Sequence, residues 1–357
     1  MIKTAVVILN WNGIRFLEKF LPSLVRCTTT PETLLVVADN GSSDDSVVFI
    51  KKHYPQVRLI CMDSNYGFAE GYNRALQQLD AEYFVLLNSD VEVSPCWLDP
   101  LERQMDSDPM VAACQPKILS YINKNHFEYA GAAGGFIDKH GFPFCRGRIF
   151  NIMEEDTGQY DNIREIFWAS GACLIIRSEL FHAAGGLDKD FFAHMEEIDL
   201  CWRLKNMGFK ILAVPDSIVY HIGGGTLQMG TPQKTFLNFR NNLILIYKNT
   251  EPGKLFRRFF IRFVLDGIAG LKFLAGGEFS FFFAVLKAHF SFYKMAGSYK
   301  KVRKQMTVHL FIKYRHLEIY NGSIVYDFFL RKRKTFQDIG FYVFSESAEN
   351  KQAGTGK

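Results

Sequence analysis

Three apolar runs in the first part of the chain each end in a short polar stretch, and this repetition constrains the fold more than any other feature. The runs are residues 5–9, 34–38 and 83–87, which lead into Asn-Trp-Asn-Gly, Asp-Asn-Gly-Ser and Asn-Ser-Asp. Helical patterns over residues 14–26 and 67–79 lie between them. Strands that alternate with helices indicate βαβ units and a parallel sheet. Because open α/β sheets bind ligands at the carboxyl ends of their strands, we predict a ligand crevice there.

The alternation of strands and helices continues beyond these runs. The other predicted elements are a helix over residues 45–53 capped by Ser43 or Asp44, strands over 57–60 and 172–176, helices over 178–185 and 196–207, and a last strand over 210–214 that Pro215 ends. Residues 120–165 are irregular and Gly-rich, which favours hairpins that pass over the crevice. The expected fold class is therefore α/β.

The stretch Asn88-Ser89-Asp90 is a candidate metal site, because a carboxylate follows a buried strand at the predicted crevice. Oxygen ligands suit Mg²⁺ or Mn²⁺, and such ions usually bind together with substrate phosphates. The alternative interpretation is a polar turn, since Asn, Ser and Asp all favour turns.

The charge distribution points to two functions within one chain. Residues 1–253 have a net charge of −7, whereas residues 254–357 hold 19 Lys and Arg against 7 Asp and Glu. The basic part favours an anionic partner, either lipid or nucleic acid. The seven cysteines are scattered without a CxxC pair, which favours a reducing compartment over a disulfide framework or a zinc site. The short apolar run at the N-terminus lacks the features of a signal peptide.

The order of the polar motifs resembles a known enzyme family. The motifs are residues 7–13 (Val-Ile-Leu-Asn-Trp-Asn-Gly), 39–44 (Asp-Asn-Gly-Ser-Ser-Asp), 65–69 (Asn-Tyr-Gly-Phe-Ala), 88–90 (Asn-Ser-Asp), 171–172 (Gly-Ala) and 196–203 (Glu-Glu-Ile-Asp-Leu-Cys-Trp-Arg). Over about residues 4–250 the chain resembles family 2 glycosyltransferases of the GT-A fold, and in particular their bacterial rhamnosyltransferase-like branch. The resemblance implies a Rossmann-like mixed sheet flanked by helices that binds a nucleotide sugar.

The resemblance also implies which residues bind the sugar donor. These are Asn10, Asn12, Asp39, Asn40, Ser42, Asn65, Gly67, Phe68, Asn88, Ser89, Gly171 and Ala172. Asp39 can accept a hydrogen bond from N3–H of uracil or thymine, although an Asx turn would explain the same residue. The helix predicted to begin near Gly67 would offer free N–H groups to phosphate or ribose oxygens, unless Asn65 is an ordinary helix cap.

A divalent cation, Mg²⁺ or Mn²⁺, is implied at Asp90, where it would neutralise charge on the leaving diphosphate. Family members commonly carry Asp-x-Asp at this point, and Asn88 replaces the first Asp. His221 follows the last predicted strand and precedes Gly223-Gly224-Gly225-Thr226, so it is the second candidate ligand. A structural role for this histidine is the alternative.

Glu197 and Glu196 are the candidate catalytic residues. In the resembled family this position reads Glu-Asp, and the Asp deprotonates the acceptor hydroxyl. Glu197 stands at the matching position, and the assignment between Glu197 and Glu196 stays open because the side chain is longer. Acidic residues that complement a helix dipole are the alternative. Trp168 would either stack on a sugar or pack in the core.

We predict three regions: a glycosyltransferase domain over residues 1–250, a basic, Phe-rich helical extension over 251–346 and a disordered tail over 347–357. In the extension, Arg258, Arg262, Asp266 and Lys272 would share one helix side and face anionic headgroups. No apolar run is long enough to span a membrane. A helical bundle or a homodimer interface is the alternative, and nucleic-acid binding lacks a motif.

These expectations define an inverting glycosyltransferase of bacterial cell-surface polysaccharide synthesis. It would move a sugar, with rhamnose favoured, from a UDP- or dTDP-sugar to a saccharide or lipid-linked acceptor. Its expected location is the cytoplasm, peripheral on the inner face of the cell membrane. The alternatives are a catalytically silent sugar-nucleotide-binding scaffold at the membrane and a sugar nucleotidyltransferase, although the latter would carry a basic Gly-rich loop after the first strand.

Overall fold

The computed structural model describes residues 2–28, 30–223, 230–309 and 316–340. The predicted disordered tail and most of the Gly-rich segment after His221 lie outside the described residues.

The strands and helices follow the predicted alternation in the first half of the chain. The strands are β1 (Thr4–Asn10), β2 (Thr33–Asp39), β3 (Arg58–Cys61), β4 (Tyr83–Asn88), β5 (Val91–Val93), β6 (Val111–Ser120), β7 (Gly135–Asp138), β8 (Pro143–Cys145), β9 (Arg148–Ile149), β10 (Ile152–Met153), β11 (Arg164–Glu165), β12 (Cys173–Arg177), β13 (Lys210–His221) and β14 (Ile319–Tyr320). The helices are α1 (Ile14–Cys27), α2 (Ser46–His53), α3 (Gly67–Leu76), α4 (Leu98–Ser107), α5 (Ser178–Ala183), α6 (Glu196–Asn206), α7 (Pro232–Asn249), α8 (Pro252–Ala275), α9 (Phe279–His309) and α10 (Ile324–Phe329), with a 3₁₀ turn at Lys189–Phe191.

A mixed sheet forms the centre of the protein, in the order β11-β13-β6-β12-β4-β1-β2-β3, with β5 paired to β13. The strands β1 to β4 run parallel, as predicted, whereas β12 runs antiparallel to both β4 and β6. The α/β class is therefore confirmed. The elements α4, β5 and β6 were not predicted from the sequence.

Both faces of this sheet are covered, which explains why its strands read as continuous apolar runs. Ala5 and Val7 of β1 belong to one buried cluster, and Val6 and Ile8 belong to a second one. Alternate residues of a strand point to opposite faces, so each face has its own core. The polar residues that follow the strands are thereby left at the carboxyl edge.

The prediction that Pro215 ends the last strand is wrong, because β13 continues to His221. The pairing of β13 with β6 shifts register between Val214 and Ile218. A proline is tolerated at such an irregularity, since the missing N–H is not needed for the ladder there. The extension of β13 pairs His221 with Val91 and so brings the histidine beside Asp90.

The irregular region folds into hairpins, as predicted, and forms a second sheet in the order β10-β9-β8-β7-β14. Its last strand comes from the C-terminal part of the chain, where Ile319 and Tyr320 pair in parallel with β7. The buried carboxylate of Asp138 accepts a hydrogen bond from the backbone N–H of Ile324, 3.0 Å away. The C-terminal part is thus attached to the hairpins.

The helices α8 and α9 form an antiparallel pair beside α7. Gly277, with φ +74°, lies in the turn between α8 and α9, and the rings of Phe259 and Phe292 stack at 5.4 Å between them. Among the described residues, no helix is both long enough and apolar enough to cross a membrane.

The prediction that Arg262 and Asp266 of α8 face anionic headgroups is wrong. Arg262 and Asp266 are buried, with Arg262 Nε 2.8 Å from Asp266 Oδ1 and His289 Nε2 3.1 Å from Asp266 Oδ2. Arg258 is half-buried and donates to Thr250 Oγ1, so Lys272 alone of the four predicted residues is exposed. Because Asp266 pairs with Arg262 and His289 in the interior, the charged side of α8 can be buried while its apolar side faces outward.

Candidate active site

The ends of β1, β2 and β4 lie side by side, as the sequence predicted. The sheet register places Asn10 next to Asp39, and Asn88 next to Leu9. The polar residues after these strands therefore meet at one edge of the sheet, where the ligand crevice was expected.

Asp39 is buried at this edge and held by two donors. Asn10 Nδ2 lies 3.1 Å from Asp39 Oδ2, and the backbone N–H of Ser42 donates to Asp39 Oδ1 at 2.9 Å. Ser42 Oγ in turn accepts from the backbone N–H of Asn12 at 2.9 Å. The local turn considered as an alternative is therefore present, and it fixes the carboxylate at the crevice.

A second set of hydrogen bonds joins the end of β2 to the start of α3. Asn40 Nδ2 donates to Asn65 Oδ1 at 3.1 Å and to the Gly67 carbonyl at 3.0 Å. Asn65 Oδ1 also accepts from the backbone N–H of Gly67 at 2.8 Å. The N–H groups of Phe68 and Ala69 donate to the Phe192 carbonyl, at 2.9 and 3.5 Å. The prediction that this helix end offers free N–H groups is therefore wrong, because the protein itself engages them.

Asp90 and His221 meet in the interior of the site. His221 Nε2 lies 3.1 Å from Asp90 Oδ1, and His221 Nδ1 lies 3.1 Å from Glu128 Oε2. Burial by itself would lower the pKa of His221, but Asp90 and Glu128 outweigh it and raise this pKa to about 10. Glu128 was missed, because it lies in the irregular region and no local pattern marks it.

A divalent cation bound at Asp90 would displace the proton that Asp90 and Glu128 hold on His221, because only a neutral imidazole is a metal ligand. Asn88 Nδ2 lies 3.4 Å from His221 Nε2, so an amide, a carboxylate and an imidazole converge on one point. Across the described ranges, no group of three or more His, Cys, Asp or Glu side chains is arranged so that it could by itself hold a metal ion. A cation here would take its remaining ligands from substrate phosphates or water, as Mg²⁺ commonly does.

Glu196 and Glu197 open α6 at another side of the crevice. Burial raises the pKa of both carboxyl groups, that of Glu197 to about 7, and the charge of Glu197 raises that of Glu196 further. Glu196 is buried, whereas Glu197 is partly exposed. In the described part of the chain, Oε2 of each is buried without a hydrogen-bond partner. A partly exposed glutamate whose carboxyl has a pKa near neutrality has the properties of a general base.

Asp199, the third acid at the start of α6, has a different role. Burial opposes its ionised form, but Lys248 and Arg203 lower its pKa. Lys248 Nζ lies 2.8 Å from Asp199 Oδ2, and Asn249 donates to the other oxygen at 2.8 Å. Its two oxygens are thus used in fixing α6 to α7.

The short segment Gly171-Ala172 lies between Glu197 and the end of β4 at Asn88. A Cβ placed on Gly171 would stand 3.2 Å from the Phe68 ring and 3.9 Å from Glu197 Cβ. On its other side, the N–H of Asn88 donates to the Ala172 carbonyl at 3.0 Å. Glu197 and Asn88 are therefore on opposite sides of one short segment.

Two further predicted residues are placed by the structure. Ser89 lies near Gly13, since a Cβ on that glycine would be 3.7 Å from Ser89 Oγ. Trp168 is buried and donates to the Phe136 carbonyl at 2.9 Å, so it packs in the core and does not stack on a sugar.

The loop before α6 is held in an uncommon conformation. Phe192, His194 and Met195 all have positive φ, between 63° and 73°. The buried side chain of Asn241 on α7 lies within 3.0 Å of the carbonyl oxygens of Phe191, Ala193 and His194. Backbone strain of this kind persists only where its surroundings hold it, and it often occurs beside active sites.

Comparison with known proteins shows which family and fold this chain shares. Residues 5–183 match the model of the family described as glycosyl transferase family 2. Over 230 residues the chain is 30% identical to an N-acetylglucosaminyl-diphospho-decaprenol L-rhamnosyltransferase of Mycobacterium tuberculosis, which covers 60% of this chain and 75% of that protein.

Two solved structures share the fold. The crystal structure of GalNAc-T7 with UDP, GalNAc and Mn²⁺ superposes with a TM-score of 0.54 at 19% identity, covering 70% of this chain and 48% of that one. The crystal structure of S. aureus TarS 1-349 in complex with UDP-GlcNAc gives a TM-score of 0.52 at 14% identity, covering 88% and 94%. The central mixed sheet with its flanking helices is thus the expected GT-A fold.

Proposed function

We propose that this chain, which belongs to glycosyl transferase family 2, moves a sugar from a UDP- or dTDP-sugar to a saccharide or lipid-linked acceptor in bacterial cell-surface polysaccharide synthesis. Rhamnose is the favoured sugar, because the mycobacterial relative is named as an L-rhamnosyltransferase that acts on a lipid-linked diphosphate sugar. The resemblance of the motif order to the rhamnosyltransferase-like branch supports the same choice.

The observation that carries this proposal is the environment of Glu197. Glu197 is partly exposed, the pKa of its carboxyl is raised to about 7, and it lies beside Gly171 and Phe68, two of the proposed donor-binding residues. We assign it as the base that removes the proton of the acceptor hydroxyl. The buried Glu196 is less accessible, and Asp199 is engaged by Lys248 and Asn249.

The reaction then needs one displacement. As Glu197 takes the proton, the acceptor oxygen forms a bond to the anomeric carbon of the donor. The bond between that carbon and the diphosphate oxygen breaks, and the diphosphate leaves with the electron pair. Attack from the side opposite the diphosphate inverts the configuration, an outcome inferred from the family resemblance.

Asp90 and His221 would hold Mg²⁺ or Mn²⁺, with Asn88 at the edge of the site. The ion would supply positive charge to the diphosphate as it departs. Support comes from the convergence of these side chains and from the Mn²⁺ that accompanies UDP in the GalNAc-T7 crystal structure.

The residues at the strand ends would bind the donor nucleotide. Asp39 would accept from the N3–H of uracil or thymine, and the turn around Ser42 would hold this carboxylate in position. We further propose a catalytic region over residues 1–250, followed by an extension that places the enzyme on the inner face of the membrane.

The direct test is transfer by the purified protein. It is incubated with Mn²⁺ or Mg²⁺, membrane lipid extract and either dTDP-rhamnose or a UDP-sugar, and release of the nucleoside diphosphate is measured. Thermal shift with each donor identifies which nucleotide sugars bind, since ligands stabilise the native state. The proposal fails if donor binds but no acceptor extract supports turnover, as a catalytically silent scaffold would behave.

A further inference from the structure

The outward side of α8 carries a continuous apolar stripe. Phe256, Phe260, Val264, Ile268 and Leu271 follow one another at intervals of three or four residues, so they lie on one side of the helix. Each is exposed over about half of its surface or more, from 48% for Val264 to 84% for Phe256. A helix on the surface of a protein normally turns such a side inward.

A similar stripe runs along α9, the helix that packs against α8. Phe279, Phe283, Leu286, Phe290 and Tyr293 recur at alternating intervals of four and three residues, and all are exposed. Stripes on two neighbouring helices make a larger apolar surface than single exposed side chains do. Surfaces of this kind mark sites where another molecule binds.

Buried charged residues hold α8 so that its apolar side faces outward. Arg262 lies over the Phe142 ring at 4.2 Å and pairs with Asp266, which also contacts His289 of α9. Rotating α8 to bury its apolar stripe would expose this ion pair and break its contacts. The apolar surface therefore belongs to the folded state.

The charges around the stripes indicate what covers them. The exposed basic side chains along the two helices include Lys254, Arg257, Lys272, Lys287, Lys294 and Lys300. Across the described side chains of residues 252–304, Glu278 is the exposed acid, since Asp266 is buried. Apolar side chains between lysines and arginines match a bilayer with anionic headgroups. In a two-fold pair the same basic surface would face itself, so like charges would oppose association of two copies.

We propose that α8 and α9 dock on an anionic lipid bilayer through this surface, with the aromatic side chains among the acyl chains and the flanking basic side chains at the headgroups. The apolar side of α8 meets the bilayer, as an interfacial helix would, but Arg262 and Asp266 lie in the protein interior and not at the headgroups as the sequence predicted. The purpose of this docking, delivery of a lipid-linked acceptor, rests on the proposed function. The docking surface itself is inferred from the exposed apolar and basic side chains of the two helices.

The test is flotation of the full-length protein with vesicles. Vesicles of phosphatidylglycerol and phosphatidylcholine are compared with vesicles of phosphatidylcholine alone, at low and at high salt. We expect binding to the anionic vesicles that weakens as salt screens the charges. Absence of binding to anionic vesicles overturns the proposal.

Two matched triple variants locate the binding surface. Phe256→Ser, Phe283→Ser and Phe290→Ser together should weaken vesicle binding by at least about tenfold, because their apolar side chains no longer enter the bilayer. Val48→Ser, Ile122→Ser and Met153→Ser, which change exposed apolar residues elsewhere, should bind as the native protein does. Thermal unfolding verifies that both variants are folded. Equal flotation of the two variants contradicts the proposal.

Light scattering distinguishes the membrane from a second copy of the chain. If the native protein is a dimer that the Phe variant converts to monomers, the surface is an interface between copies and the proposal is wrong. Flotation needs no turnover, so a native protein that binds vesicles but transfers no sugar would refute the proposed function and support the membrane surface.

Discussion

Asp90 and His221 lie 3.1 Å apart, carboxylate oxygen to ring nitrogen, although 131 residues separate them along the chain. The contact forms because Asp90 follows β4 and His221 ends β13, whose pairing with β5 brings the two together. Glu128 contacts the other ring nitrogen, which leaves the imidazole between two carboxylates. The same place is where we propose that a divalent cation binds with the donor diphosphate.

Replacing Asp90 with Asn tests the cation site. The variant keeps the size of the side chain but removes its charge, so we expect Mn²⁺ binding in the presence of UDP to be lost and kcat to fall about 10²- to 10³-fold. Electron paramagnetic resonance measures bound Mn²⁺ independently of turnover. Asp99→Asn, an exposed acid on α4, should leave both quantities unchanged. Normal Mn²⁺ binding by Asp90→Asn would rule out this residue as the ligand.

Glu197→Gln tests the base. Because the amide cannot take a proton, we expect kcat to fall by about 10²- to 10⁴-fold while donor affinity stays close to native. In the native enzyme, kcat should rise with pH through about 7 as the Glu197 carboxyl ionises. Glu196→Gln is the matched control and should retain more than about a tenth of the activity, with the same pH dependence. The opposite ranking of the two variants would move the assignment to Glu196.

The same substitution should change the pH dependence of stability. Burial raises the pKa of Glu197 from 4.5 to about 7, so the folded state binds this proton more tightly than the unfolded state does. Ionised Glu197 therefore reduces stability as pH rises between these values. We expect Glu197→Gln to raise the unfolding midpoint at pH 8 by about 2–4 °C and to have little effect at pH 4. A midpoint difference that does not grow with pH would contradict this.

Asn241→Ala tests how the base is positioned. Asn241 is fully buried and holds the carbonyl oxygens of Phe191, Ala193 and His194 in the loop before Glu197. Its loss should cost about 1–3 kcal/mol of unfolding free energy, since buried carbonyls lose their donor. It should also lower kcat about 10- to 100-fold with little change in the donor KM, because the base is displaced.

The neighbouring Asn242→Ala is the control for this experiment. Asn242 is equally buried and donates to the Gly141 carbonyl at 2.7 Å in the hairpin region, and its recorded contact with the loop is the weaker one to Met195 Sδ at 3.6 Å. It should lose comparable stability with a smaller change in kcat. Equal kcat losses in the two variants would indicate a general structural effect.

Gly67→Ala tests the junction between α3 and the strained loop. Gly67 has φ +77°, and a Cβ there would lie 2.7 Å from the Phe192 ring. The strained backbone should lower the unfolding free energy by about 1–3 kcal/mol, measured by denaturant unfolding. Gly253→Ala, which has open space around it in α8, should be neutral or slightly stabilising.

Several features of the site could be predicted from short stretches of sequence. The apolar runs before Asn10, Asp39 and Asn88 are continuous because both faces of the sheet are buried, and each run ends where polar residues reach the crevice. Parallel strands place their carboxyl ends at one edge, so the proximity of these residues follows from local patterns. The fold class and the family resemblance rest on the same stretches.

Other features depend on contacts between distant segments. Glu128 reaches His221 from a hairpin region that has no periodic pattern, and β13 passes Pro215 because a register shift accommodates it. The distinction between Glu196 and Glu197 depends on which carboxyl the surrounding segments leave accessible. None of these can be derived from residue spacing alone.

Helix α8 shows most clearly what the sequence determined and what the tertiary structure decided. Its sequence determined an amphipathic helix with charged residues on one side, because the periodicity of side chains is a local property. The tertiary structure decided which side faces inward, because Asp266 pairs with both Arg262 and His289 when it is buried against α9. The charges satisfy one another in the interior, and the phenylalanines are left outside. Periodicity separates two sides of a helix, but only the partners supplied by the rest of the chain determine which side is buried.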